Sequence, residues 1–118
     1  MPDQTITIFH NPGCGTSRNV LKAIKDAGFE PKVVPYLERG WTLPQLKSLL
    51  KEMKAKARDI LRVKGTNAEE LGLTKDSVTD DDILVAMVKH PILVNRPIVQ
   101  TAKGTKLCRP AEIVAELL

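Results

Sequence analysis

Aromatic side chains are nearly absent: two Phe, one Trp and one Tyr make up 3% of the 118 residues. A core built from this chain is therefore aliphatic, and a binder of single-stranded nucleic acid, which stacks bases on rings, is not expected. No apolar run approaches the roughly 20 residues that cross a bilayer, so no spanning helix is expected and no membrane partner with it. Residues 1–20 hold one short apolar stretch followed by Asn11-Pro12-Gly13-Cys14-Gly15, which is unlike a secretory leader. Cysteine is scarce, with only Cys14 and Cys108. Two cysteines without a leader suggest a cytoplasmic protein with reduced thiols. Charge is not concentrated either. The net charge is 18 − 14 = +4, with no basic tail or run. That mild excess suits a small anionic substrate and suits a plain solvated surface equally well. With 42% hydrophobic and 27% charged residues, the composition is that of a soluble globular chain, and its length fits a single domain over 1–118.

There are no repeats. Residues 5–9 (Thr-Ile-Thr-Ile-Phe) alternate and are β-rich, which predicts a strand. His10 to Gly15 is loop chemistry. A helix is predicted over about 16–27, with Val20, Leu21, Ile24 and Ala27 on one face and Gly28 as C-cap. A second strand is predicted over 31–36, and Pro35, which cannot donate to a ladder, puts it at a sheet edge. Thr42 with Gln45 forms a capping box before a helix that buries Leu46, Leu49, Leu50 and Met53. Shorter helical pieces are predicted near 56–63 and 67–72. Thr79 with Asp82 starts a further helix, with Ile83, Leu84, Met87 and Val88 facing inward until Pro91. Residues 98–101 and 105–108 form a hairpin around a turn at 102–104, and Pro110 opens a last helix at its first position, burying Ile113, Val114 and Leu117. The order βαβ, helical block, ββα is that of an α/β, thioredoxin-like fold. It predicts a four-stranded mixed sheet with a helical insertion between strands 2 and 3, at about 41–90. A right-handed crossover makes the first two strands parallel.

Cys14 falls between a strand end and a helix start. Unpaired N–H groups and the helix macrodipole favour a thiolate there, and the same end attracts oxyanions. Cys14-Gly15-Thr16-Ser17 has the spacing of a redox CxxC motif with Ser17 in the second position. A thiol cycle at Cys14 therefore requires an outside thiol or a distant cysteine. A buried structural cysteine is the other reading. His10, four residues earlier, reads either as an imidazolium or hydrogen-bond partner of the thiol, or as a loop histidine paired with backbone. Arg62, Arg96 and Arg109 lie at element ends, and guanidinium forks match tetrahedral oxyanions. Arg96-Pro97 and Arg109-Pro110 flank the hairpin. In a thioredoxin-like fold the turn before the third strand faces the active thiol, so Arg96-Pro97 is predicted to be cis.

Four stretches then carry a family likeness: Ile6 to Asn19 (ITIFHNPGCGTSRN), Glu70-Leu71-Gly72-Leu73, His90 to Val99 (HPILVNRPIV) and Gly104 to Pro110 (GTKLCRP). From Thr5 to Leu118 the chain resembles the glutaredoxin-linked arsenate reductases. The resemblance implies that Cys14 is the nucleophile and that His10 helps activate it. It implies that Arg62, Arg96 and Arg109 hold arsenate, and that Asn11, Gly15 and Thr16 belong to the anion-binding loop. It also implies that Cys108 is not needed in the cycle; its own strand position suggests a small buried hydrophobe. Arsenate, glutathione as co-substrate and glutaredoxin are the implied partners, with no bound cofactor and no metal. A monomer is expected.

Three rivals remain. One is a glutathione-dependent thiol oxidoreductase acting on another substrate, since relatives share much of the Cys14 loop. Another is a redox-sensing transcriptional regulator of the same fold, whose usual CxxC pair Ser17 removes. A phosphatase-like arsenate reductase needs C-x5-R around the anion, whereas Arg18 stands at C-x3-R and the element order differs.

Overall fold

The computed structural model describes residues 5–118. They fall into two compact units: the chain up to Arg39 together with Arg96–Leu118, and the inserted segment Gly40–Asn95.

The first unit is built on a four-stranded mixed sheet of β1 (Thr7–His10), β2 (Lys32–Pro35), β3 (Ile98–Thr101) and β4 (Gly104–Leu107), in the order β2-β1-β3-β4. β1 and β2 run parallel, from Thr7 opposite Lys32 to His10 opposite Pro35. β3 is antiparallel to both β1 and β4. The thioredoxin-like α/β expectation holds, and Pro35 lies on an edge strand as its missing N–H requires. β1 starts two residues later than predicted and includes His10, because ladder pairing with β2 and β3, not local propensity, sets its ends. The hairpin is also tighter than predicted. Gly104 pairs with Thr101, leaving Ala102-Lys103 as the loop, and its φ of 148° is open only to glycine.

Helix α1 (Gly15–Asp26) follows β1 with Cys14 as its N-cap residue. It closes on a Schellman motif: Gly28 N–H donates to the Lys25 carbonyl at 2.9 Å, and Phe29 N–H to that of Ile24 at 3.3 Å. Gly28, at φ 93°, supplies the left-handed residue. Val20 and Ile24 pack into a core cluster with Ile6, Ile8, Val99, Cys108, Val114 and Leu117. Each such aliphatic chain contributes about 1.5–3 kcal/mol by leaving water. Ala27 is exposed, contrary to expectation, because it is the cap residue beyond the last helical turn. Ser17 takes the buried position at the other end of that face. Cys108 has no exposed surface, as a small hydrophobe should. The last helical segment, Ala111–Leu117, is a 3-10 helix with Pro110 outside it at the N-cap, one position earlier than predicted. Val114 and Leu117 are buried while Ile113 is half-buried, packed against the same cluster. A four-residue helix, α2 (Tyr36–Arg39), ends the first part of this unit.

In the second unit, α3 (Leu43–Met53) starts on the Thr42–Gln45 capping box and buries Leu46, Leu49 and Leu50, with Met53 half-buried. A 3-10 turn follows at Ala57–Ile60. The predicted piece at 67–72 forms turns instead of a helix, held by Leu71 N–H to the Asn67 carbonyl at 3.0 Å and Leu73 N–H to that of Ala68 at 3.0 Å. α4 (Asp80–Lys89) has the Thr79–Asp82 box and three aspartates in its first turn, where negative charge offsets the helix dipole. Ile83, Leu84 and Met87 are buried. Val88 is exposed, because it lies 100° round the helix from Met87, off the apolar stripe. Pro91 ends α4 by opening the 3-10 turn Pro91–Leu93. Among the described residues no helix is long and apolar enough to cross a membrane.

Candidate active site

The loop from His10 to Cys14 leaves the C-terminal end of β1 and turns sharply before α1. Asn11 makes the turn. Its side-chain Oδ1 accepts the Gly13 N–H at 2.9 Å, and its backbone carbonyl accepts the Cys14 N–H at 3.0 Å. Gly13 suits this closeness, since a Cβ there would sit 3.3 Å from Oδ1, a tight contact. Arg18 braces the outside, donating from Nη1 to the Pro12 carbonyl at 2.7 Å.

Cys14 is buried, with 8% of its surface exposed, and its sulfur meets three donors. The backbone N–H of Ser17, in the first turn of α1, donates to it, and so do the side chains of Arg96 and Arg109. Arg109 Nη1 lies 3.5 Å from Sγ and also donates to the Arg96 carbonyl at 2.9 Å. Burial on its own pushes the thiol up. The Ser17 N–H and the two guanidinium groups outweigh it, and the pKa falls to about 7. Both X-Pro bonds beside these arginines, Arg96-Pro97 and Arg109-Pro110, are cis; the first was predicted and the second was not.

His10 meets Ser17 and not the sulfur directly. Burial, followed by the nearby charge of Arg18, lowers its pKa. Its Nδ1 shares a 2.6 Å hydrogen bond with the hydroxyl of Ser17, which also accepts the Asn11 N–H at 3.1 Å. His10 thus reaches Cys14 only through Ser17. Gly15 and Thr16 are the first residues of α1, beside the thiol. Arg62 belongs to the second unit, where its Nε donates to the Lys64 carbonyl at 3.1 Å and its N–H to that of Leu93 at 2.7 Å. The first unit therefore brings together Cys14, His10, Asn11, Arg96 and Arg109.

Sequence reasoning missed two residues. Ser17 was seen only as a vacated cysteine position, yet it is fully buried and joins His10, the loop and the sulfur. Tyr36 was seen only as a strand end. It is 1% exposed, and its hydroxyl hydrogen-bonds the side chains of Asn11 and Arg96. Its place was a usable signal, because sites in sheets with parallel strands gather at the strands' C-terminal ends. Among the described residues no three His, Cys, Asp or Glu side chains gather to hold a metal ion.

A thioredoxin-like sheet carrying one activated cysteine, without a second at the CxxC spacing, defines a class of single-cysteine thiol proteins. Residues 9–117 match the ArsC family. The chain is 52% identical over 118 residues to the arsenate reductase ArsI1 of Synechocystis, covering 100% of this chain and 82% of the relative. It is 50% identical over 113 residues to the arsenate reductase of Escherichia coli K12, covering 96% and 80%. Among solved structures, an arsenate reductase from Vibrio cholerae superposes with a TM-score of 0.93 at 34% identity, covering 99% of this chain and 100% of that one. The chain belongs to the ArsC family.

Proposed function

We propose that this protein is an arsenate reductase whose nucleophile is the Cys14 thiolate. The observation that carries this is the sulfur itself, set at the start of α1 between the Ser17 N–H and the guanidinium groups of Arg96 and Arg109. The arsenate reductases at about half identity over nearly the whole chain support the choice of substrate.

Arsenate docks at the start of α1 against the arginines. Cys14 Sγ attacks arsenic, an arsenic–sulfur bond forms, and an oxygen leaves as water. Glutathione then attacks the Cys14 sulfur of the adduct. The sulfur–arsenic bond breaks with its electron pair staying on arsenic, which leaves as arsenite, and a Cys14–glutathione mixed disulfide forms. A glutaredoxin thiolate then takes the glutathione sulfur and releases Cys14. Two thiols thus supply the two electrons that take As(V) to arsenite. Cys14 returns to thiolate, and Cys108 takes no part.

The cations serve two purposes: they stabilise the thiolate and screen the anion it must attack. Two unscreened unit charges 4 Å apart repel by about 4 kcal/mol at an effective dielectric of 20. That slows the step by roughly a thousandfold at about 1.4 kcal/mol per decade. The external reductants assign the protein to a reducing compartment, the cytoplasm.

The test is an assay coupling arsenate reduction to glutathione and glutaredoxin. Wild type should turn over, Cys14→Ser should be inactive and Arg96→Ala badly impaired. Turnover that survives Cys14→Ser would falsify the mechanism. Turnover of disulfide substrates without any of arsenate favours a general thiol oxidoreductase. Arg62 is carried by the family resemblance, and Arg62→Ala in the same assay tests it separately.

A further inference from the structure

Tyr36 is the chain's one tyrosine, and it stands directly after β2, beside the strand end from which the Cys14 loop departs. With 1% of its surface exposed, its hydroxyl must find partners inside the protein. The partners it finds are both residues of the site. The Arg96 guanidinium and the Asn11 side chain each hydrogen-bond this oxygen, and the ring lies close enough to Cys14 to sense its charge. We propose that Tyr36 is a positioning residue of the active site, whose hydroxyl holds the Arg96 guanidinium on the Cys14 sulfur and ties it to the Cys14 loop.

The physical need is clear from the two side chains it joins. An arginine side chain samples many rotamers, so a guanidinium that must meet one sulfur has to be fixed by something else. Asn11 already shapes the loop through Gly13 and Cys14. One oxygen bonded to both Asn11 and Arg96 therefore sets the distance between the cation and the nucleophile. The phenol must remain neutral for this, since a phenolate would compete with the thiolate for the same cation. Burial keeps it so, pushing Tyr36 up from its ordinary value against the charge of Arg96.

Tyr36→Phe keeps the ring and removes the oxygen. In the wild-type background it should move the pH midpoint of Cys14 alkylation by iodoacetamide upward by roughly half a unit or more. It should also lower kcat/KM for arsenate by about tenfold. In an Arg96→Ala background the same change should alter neither reading by more than about twofold, because the group it positions is gone. An unmoved midpoint, or equal shifts in both backgrounds, overturns the proposal. If the phenylalanine variant fails to fold, judged by circular dichroism, Arg96→Ala alone decides. As the one tyrosine, Tyr36 titrates without interference in the ultraviolet, and loss of the guanidinium must raise its midpoint; an unchanged midpoint overturns the proposal. The inference rests on the proposed function only for its kinetic arm. The alkylation and phenol titrations need no arsenate, so a protein that failed to turn over arsenate would sink that reading and leave this one standing.

Discussion

Arg109 Nη1 lies 3.5 Å from the sulfur of Cys14, a residue 95 positions earlier, and the same nitrogen donates to the backbone carbonyl of Arg96 at 2.9 Å. One cation therefore fixes both the thiolate and the backbone that presents the second cation. Arg109→Ala should raise the Cys14 midpoint by about one unit and cut kcat/KM by roughly 10- to 100-fold. Arg109→Lys should recover only part of this, since an ammonium lacks the planar fork that reaches sulfur and carbonyl together. Alkylation rate against pH measures the first effect and steady-state kinetics the second.

Ser17 has a different kind of importance. Its hydroxyl meets His10 Nδ1 and the Asn11 N–H, all buried, whereas its contact with the sulfur is through backbone. Ser17→Ala should therefore cost stability, about 1–3 kcal/mol for polar groups left unsatisfied, and shift the Cys14 midpoint little. A lower urea midpoint with an unchanged thiol titration is the expected pair of results. A large thiol shift with unchanged stability contradicts it.

Folding lowers the Cys14 pKa to about 7, so the folded chain holds that proton less tightly than the unfolded one. The resulting stability is fully present above the unfolded thiol's value, roughly 8.5, and is lost as pH falls through about 7. Relative to Cys14→Ala, wild type should gain stability between these limits, as denaturant midpoints across that range will read. His10 acts in the same direction in more acidic solution: its pKa is also lowered on folding, so its contribution is lost as pH drops below about 6.5.

Cys108 provides an internal control. It is fully buried, and burial pushes its thiol up to about 12. The native protein should show one rapidly reacting thiol, and the second should appear only in denaturant. Cys108→Ala should keep arsenate turnover within about twofold while losing some core packing.

Much of this was legible in the sequence because local chemistry and global fold agree. The Thr42–Gln45 and Thr79–Asp82 boxes and Pro35 at an edge each act through neighbours a few residues away, and each stands where predicted, while Gly28 falls one position past the cap residue Ala27. Cys14 at the start of α1 was legible for the same reason. What escaped depended on distance. The roles of Ser17 and Tyr36 arise from bonds to side chains that only the folded sheet brings near. The partner of His10 escaped for the same reason: its Nδ1 meets the Ser17 hydroxyl, and burial, which spacing does not reveal, lowers its pKa. The end of the chain misled by degree, since Ala111–Leu117 has an α-like apolar pattern yet winds as a 3-10 helix.

The account depends on a sulfur charged near neutrality by its surroundings. Ultraviolet titration of the thiolate, wild type against Cys14→Ser, tests this most directly. A single transition with a midpoint near 7, absent in Cys14→Ser, is the predicted result. A midpoint at or above the free thiol's value of roughly 8.5 would contradict it.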